Sequence, residues 1–78
     1  MHLQVTLPDG KVFTLEAVPS DTVKELKQKL QAATQLAPNK QKIKHPMHGF
    51  LKDAMTVGGY NFASGEQIVL EAKTRGGR

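Results

Sequence analysis

The sequence predicts an α+β fold in which one amphipathic helix packs on a sheet of four to five strands. Two observations support this prediction. Apolar and polar residues alternate with period two near both ends of the chain, and a single helical stripe of apolar residues follows the first alternating pair. A one-faced sheet and a one-sided helix bury their apolar surfaces by packing together. The 78 residues allow one domain.

The first two alternating runs predict a β-hairpin. Residues 3–7 alternate, and residues 12–18 alternate again with Phe13, Leu15 and Ala17 on one face. The segment between them, Pro8-Asp9-Gly10, has turn chemistry, since proline fixes φ and glycine supplies positive φ. Two such runs around a short loop that contains glycine are typical of a hairpin.

A helix is predicted over residues 22–34. Thr22 and Glu25 have the spacing of a capping box, and Pro38 and Asn39 end the pattern. The lysines and glutamines between the apolar positions, Lys27 among them, are assigned to the solvent-facing side. The apolar stripe consists of Val23, Leu26, Leu30 and Ala33.

The second half predicts shorter elements. Residues 41–44 and 50–51 favour two short strands, and an irregular loop follows them. Residues 67–73 alternate as a last strand, with Ile68, Leu70 and Ala72 inward. The domain is expected to end at residue 73, and residues 74–78 are expected to form a flexible basic tail.

Composition narrows the function. The net charge is +4, and residues 37–78 carry all of it, which favours an anionic partner such as nucleic acid. No cysteine is present, and His2, His45 and His48 are expected at the surface, so neither a metal site nor a cofactor is expected. No grouping of residues indicates catalysis, so no enzyme is expected. No apolar run is long enough to predict a membrane span, and an intracellular protein is expected.

Lysines of the second half are the first candidate site. Lys40 and Lys42 are two apart, so on a strand they would face the same way. Lys52 would join them if a strand that contains Phe50 pairs alongside. Lysines bind phosphates as compact, mobile charges. The alternative is an ordinary solvated lysine face.

Phe50 is the second candidate. An exposed aromatic ring beside lysines can stack on an unpaired base. The alternative is that Phe50 is part of the core.

Several motifs resemble ubiquitin along almost the whole chain. They include Gly10-Lys11, the run from Leu15 to Val23, Tyr60-Asn61 and Arg75-Gly76-Gly77. The resemblance implies a β-grasp fold, in which a mixed sheet wraps one helix. It also implies that Tyr60 braces a loop through its hydroxyl group; the alternative is that Tyr60 contacts RNA. The positions of ubiquitin's apolar recognition patch hold Pro8, Lys44 and Glu71, so ubiquitin receptors are expected to bind poorly.

A narrower resemblance comes from the second half. The residues Ala37 to Ile43, Gly49 to Asp53 and Arg75 to Arg78 are similar to the ubiquitin-like domain that ends the largest subunit of splicing factor 3a. This resemblance implies a nuclear, monomeric RNA-binding domain that contacts a stem-loop of U1 small nuclear RNA (snRNA). Splicing factor 3a and U2 small nuclear ribonucleoprotein (snRNP) proteins would be partners through the rest of a longer chain. The implied RNA-binding residues are Lys40, Lys42, Phe50, Lys52, Arg75, Gly76, Gly77 and Arg78.

Two other functions stay open at this point. A free Gly76-Gly77 end is the attachment point of ubiquitin-like modifiers, and removal of Arg78 would create one. Many ubiquitin-like domains are protein-interaction adaptors instead. Such an adaptor would need a partner that accepts a basic face.

Overall fold

The structure is a computed structural model, and it describes residues 1–72. The predicted domain end at residue 73 and the tail of residues 74–78 lie outside the described residues. The strands are β1 (His2–Thr6), β2 (Val12–Glu16), β3 (Gln41–His45), β4 (Gly49–Phe50) and β5 (Glu66–Ala72). The helix α1 spans Val23–Thr34, and a 3₁₀ turn spans Pro38–Lys40.

All five strands form one mixed sheet in the order β2-β1-β5-β3-β4. The central strands β1 and β5 are parallel, and the other three pairs are antiparallel. The arrangement confirms the prediction of a mixed sheet with a single helix. It also places β3, which carries the candidate residue Lys42, between β5 and the short edge strand β4.

The core lies between one face of the sheet and α1. Strand alternation directs every second side chain toward the helix and leaves the others on an outer, solvent-facing side. The buried apolar residues are Leu3, Val5, Leu15, Ala17, Val23, Leu26, Leu30, Ile43, Leu51, Val57, Phe62, Ile68 and Leu70.

The N-terminus of α1 has the predicted capping box. The Thr22 hydroxyl oxygen accepts from the Glu25 N–H at 3.1 Å, and the Thr22 N–H donates to Glu25 Oε1 at 2.8 Å. At the other end, Gln35 adopts φ 67° and its N–H donates to the Gln31 carbonyl. The helix therefore ends one turn before Pro38, without a glycine at its C-terminus.

The predicted irregular loop after β4 packs closely on the start of α1. The Val23 and Lys24 N–H groups, which have no partner inside the helix, donate to the carbonyls of Met55 and Asp53 at 2.9 and 3.2 Å. Gly58 donates its N–H to the Pro19 carbonyl, and a Cβ at Gly58 would lie 3.1 Å from that oxygen. The loop thereby contributes Leu51, Val57 and Phe62 to the core.

One orientation prediction is wrong. Lys27 does not face solvent: it is 8% exposed, and its Nζ lies 2.6 Å from Asp53 Oδ1 in the loop after β4. Ala72 lies opposite the buried Gln41, on the predicted side of the sheet, but it is exposed at the end of β5. Among the elements of residues 1–72, no helix has the length and apolarity that a membrane crossing needs.

Candidate nucleic-acid interface

The alternation of β3 divides its side chains between the two faces of the sheet. Gln41, Ile43 and His45 are buried on the side of α1. Lys42 and Lys44 therefore point to the outer face, two residues apart on the same strand. This places two ammonium groups above the part of the sheet formed by β3 and its neighbours.

Phe50 lies on the same outer face, opposite Lys44 in the antiparallel pair of β3 and β4. Its side chain is 51% exposed, so the core alternative is wrong. The Nζ atoms of Lys42 and Lys44 are 5.0 and 5.6 Å from the centre of its ring. Both distances are within the range of a cation–π interaction. The two lysines thus share one exposed aromatic ring.

Lys52, the third predicted lysine, lies two residues after Phe50 in the chain. The Leu51 N–H donates to the Ile43 carbonyl at 2.8 Å, which continues the pairing with β3 one residue past β4. Leu51 is buried and Lys52 is exposed just past the end of β4, so Lys52 lies beside Phe50 along the chain. The Lys52 N–H donates to the Tyr60 hydroxyl oxygen at 2.9 Å, which is the bracing role that the family resemblance implied.

The predicted alternation of Lys40 with Lys42 is wrong. Lys40 is the last residue of the 3₁₀ turn Pro38–Lys40, where its N–H donates to the Ala37 carbonyl at 2.8 Å. Proline at the first position of the turn fixes φ and favours a helical start over an extended one. Lys40 is exposed, but it precedes β3 and does not share its outer row.

Lys44 takes the place that was assigned to Lys40. The sequence analysis left Lys44 out of the candidate site, although alternation from Lys42 would have found it. We call Lys42, Lys44, Phe50 and Lys52 the basic face.

Among the described residues, no ion pair neutralises the lysines of the basic face. Within residues 1–72, no carboxylate oxygen lies within 4.0 Å of their Nζ atoms, whereas Lys27 and Lys29 pair with Asp53 and Asp21. The nearest acid in the sheet register is Glu71, which lies opposite Lys42 on β5. The ammonium groups are therefore not held by an ion pair within residues 1–72, and Glu71 is the one acid that faces them across the ladder.

Comparison with known proteins accounts for this architecture. The sequence model of the Ubiquitin family matches residues 3–75. The chain belongs to the ubiquitin family.

This ubiquitin-family domain is similar to one set of curated proteins. It is 42% identical over 69 residues, 88% of the chain, to splicing factor 3A subunit 1 of Mus musculus, and 36% identical over 70 residues, 90% of the chain, to that of Homo sapiens. It is 42% identical over 59 residues, 76% of the chain, to probable splicing factor 3A subunit 1 of Arabidopsis thaliana. The domain spans only 7–9% of the length of these relatives.

Two of the three histidines of the ubiquitin-family domain lie at the surface as predicted, and one is buried. His2 and His48 are exposed, but His45 is 4% exposed, and its Nε2 lies 2.6 Å from Glu66 Oε2. The hydrogen bond from His45 holds the pKa of the Glu66 carboxyl below its usual range. In the part of the chain that the structure describes, no three metal-ligating side chains come together.

The remaining candidate residues, Arg75, Gly76, Gly77 and Arg78, lie outside the described residues. The strand that precedes them is described, and its last residue, Ala72, pairs with Gln41 on β3. The chain therefore reaches residue 72 beside the strand that carries Lys42 and Lys44.

Proposed function

We propose that this chain is an RNA-binding ubiquitin-like domain of a splicing factor, and that its basic face contacts a structured RNA. One observation carries the proposal: Lys42 and Lys44 place two ammonium groups over the exposed ring of Phe50, with no carboxylate of residues 1–72 paired to them. The similarity to splicing factor 3A subunit 1 supports the splicing context.

The chemistry of the basic face suits a hairpin loop better than a plain duplex. Ammonium groups neutralise phosphates and release counterions, which is independent of base sequence. An exposed aromatic ring adds affinity only where a base is unpaired and can stack on it. Phosphates next to an unpaired base occur together in a stem-loop, so a stem-loop such as that of U1 snRNA is the proposed ligand.

The proposal includes residues beyond the basic face. Lys40, at the start of β3, and Arg75 and Arg78, in the tail, would add phosphate or groove contacts, and Gly76 and Gly77 would allow close approach of the backbone. A nuclear location, and association with splicing factor 3a and U2 snRNP proteins through a longer chain, belong to the same proposal.

Binding to an RNA hairpin with an unpaired loop tests the proposal, measured for the 78-residue chain at several salt concentrations. Lys42→Gln combined with Lys44→Gln should weaken binding and make the slope of log K against log salt shallower by about 2, that is, by about 1 per phosphate contact.

The matched control is Lys11→Gln combined with Lys24→Gln, which removes the same charge from exposed positions in the hairpin turn and at the start of α1. The control should retain most of the affinity. An equal loss in both double variants would show that net charge alone attracts RNA and would remove the basic face as the site. Negligible binding by the unaltered chain would end the proposal.

A further inference from the structure

His45 is a buried titratable group that lies next to the basic face and that the proposed function does not use. It is the last residue of β3 and points to the side of α1, whereas its neighbour Lys44 points to the outer face. Its ring stacks on Phe62 at 5.0 Å between centroids and lies 4.8 Å from the ring of His48. Histidine is the side chain whose ordinary pKa allows a change of charge between pH 5 and 8.

The hydrogen bonds of His45 define its protonation. Nδ1 lies 3.1 Å from the Met47 N and 3.4 Å from the His48 N, and both backbone groups are donors. Nδ1 must therefore be the unprotonated, accepting nitrogen. Nε2 then carries the single proton and donates to Glu66 Oε2 at 2.6 Å. The geometry fits a neutral imidazole.

The segment that His45 holds is the turn from β3 to β4. Met47 and His48 lie between His45 and Gly49, which adopts φ +70°, and Phe50 follows directly. The His48 ring lies 5.0 Å from the ring of Tyr60, whose hydroxyl oxygen accepts from the Lys52 N–H. Both Phe50 and Lys52 are therefore positioned by groups that His45 contacts directly or through one ring.

We propose that His45 is a pH-sensitive latch on this turn, closed when the imidazole is neutral and released when Nδ1 takes up a second proton. An imidazolium ring has no accepting nitrogen, so the N–H groups of Met47 and His48 lose their acceptor. The turn then rearranges and moves Phe50. The consequence for RNA affinity rests on the proposed function, whereas the rearrangement does not.

The titratable groups around His45 have opposite effects on the charged form of its imidazole. Glu66 on β5 stabilises the imidazolium through Nε2, because a carboxylate prefers a charged donor. The His48 ring, in the turn itself, becomes a like charge when it is protonated, and Tyr60 lies behind it. The hydrogen bond from His45 lowers the pKa of Glu66, so the carboxylate stays charged across the pH range in which histidines titrate. Protonation of His45 thus exchanges the two turn bonds for a stronger ion pair.

Amide NMR of the 78-residue chain between pH 8 and pH 5 tests the latch without RNA. The amide signals of Met47, His48 and Phe50 should shift together along one titration curve, with the Met47 amide proton moving upfield as its hydrogen bond is lost. His45→Asn, whose side-chain oxygen can accept in place of Nδ1 but does not titrate, should abolish the upfield movement of the Met47 amide proton. Amides of the turn that stay unchanged in the unaltered chain would overturn the proposal.

Two further variants keep the test decisive if His45→Asn does not fold. Glu66→Gln should move the midpoint of the turn's titration to lower pH, because it removes the charge that favours the imidazolium. His48→Asn should leave the curve in place, which separates the buried ring from its exposed neighbour. An unchanged midpoint in Glu66→Gln, or loss of the curve in His48→Asn, would each overturn the assignment to His45.

Hairpin binding at pH 7.5 and pH 5.5 then separates the latch from the proposed function. Protonation adds a positive charge, so electrostatics alone would make the unaltered chain bind RNA more tightly than His45→Asn at pH 5.5. The latch predicts the opposite effect. At pH 5.5 the unaltered chain should bind RNA about threefold more weakly than His45→Asn, which is the effect of one modest contact. Turn movement without RNA binding at either pH would contradict the proposed function and retain the latch. RNA binding with unchanged amide signals in the turn would contradict the latch and retain the proposed function.

Discussion

Phe50 is the residue that most sharply distinguishes stem-loop binding from general attraction to RNA. Base stacking on an exposed aromatic ring contributes about 1–3 kcal/mol per base. We therefore expect Phe50→Ala to weaken binding to a hairpin with an unpaired loop by about 5- to 150-fold. Phe50→Tyr, which keeps the ring, should bind like the unaltered chain. Titrations of a labelled hairpin measure both.

A blunt duplex of the same stem serves as the control ligand, because it offers phosphates but no unpaired base. Phe50→Ala should leave duplex binding almost unchanged. If it weakens duplex and hairpin equally, Phe50 supports the lysines instead of stacking on a base. The sequence could not decide between an exposed and a core Phe50, since phenylalanine occurs in both places. The register that pairs Phe50 with Lys44 decides it.

Asp21 provides a prediction of pH dependence at a single residue. Its carboxylate accepts from Lys29 Nζ at 2.8 Å and from the Val18 N–H at 3.1 Å, and the bond to Lys29 is the main cause of a lowered pKa. A carboxyl group whose pKa is lower in the folded state stabilises the protein above its unfolded value, near 3.9. That contribution disappears as the pH falls through the lowered pKa.

Asp21→Asn should accordingly lower the free energy of unfolding at pH 7, and the difference from the unaltered chain should shrink toward pH 2. Urea unfolding at both pH values measures it. Asp9→Asn is the matched control, because the Asp9 carboxylate accepts the Lys11 N–H in the hairpin turn and has no ammonium partner within residues 1–72. If Asp21→Asn lowers the free energy of unfolding by the same amount at both pH values, the proposed role of the Asp21–Lys29 pair is wrong.

At the scale of elements, α1 is tied to the loop after β4 by a contact that periodicity does not reveal. The capping box and the buried positions Val23, Leu26 and Leu30 were predicted correctly because they depend on residues within one or two turns of each other. Ala33, which was assigned to the same stripe, is exposed near the end of α1. Lys27 was placed wrongly because its burial depends on Asp53, 26 residues further along the chain. Helical spacing alone places a lysine beside Leu26 at the solvent edge of the stripe.

The Lys27 pair therefore predicts unequal effects for its two partners. Asp53→Ala leaves a buried ammonium group without its carboxylate and should lower the free energy of unfolding by about 1–3 kcal/mol. Lys27→Met removes the charge and keeps most of the packing, so it should be less harmful. Chemical denaturation of both variants measures the difference. If Lys27→Met is the more damaging change, the ion pair itself stabilises the fold more than desolvation opposes it.

At the scale of the whole molecule, the fold could be predicted more completely than the site. The order of the elements and the hairpin follow from apolar residues that repeat with periods of two and 3.6 residues. The basic face depends on which strands are neighbours: β5 joins β1 to β3, and the 3₁₀ turn excludes Lys40 from the row that holds Lys42 and Lys44. The contact of the buried His45 with Glu66 likewise depends on the pairing of β3 with β5.

The distribution of charge over the whole chain gives the last prediction. Lys73, Arg75 and Arg78 carry three of the four net positive charges, and they follow Ala72, which pairs with Gln41 beside the basic face. Six residues span at most about 20 Å when extended, so these charges can act on the same RNA as Lys42 and Lys44. Arg75→Gln combined with Arg78→Gln should weaken hairpin binding and reduce the salt slope by about 2.

Combining both arginine changes with Lys42→Gln and Lys44→Gln tests whether the two groups hold one RNA. If the phosphate contacts are independent, the reductions in salt slope caused by the two double variants should add in the quadruple variant, because each contact releases its own counterions. The Lys11 and Lys24 double variant removes equal charge and should change the slope far less. If the arginine variant matches that control, the tail contributes only net charge, and the basic face remains as the sole proposed site.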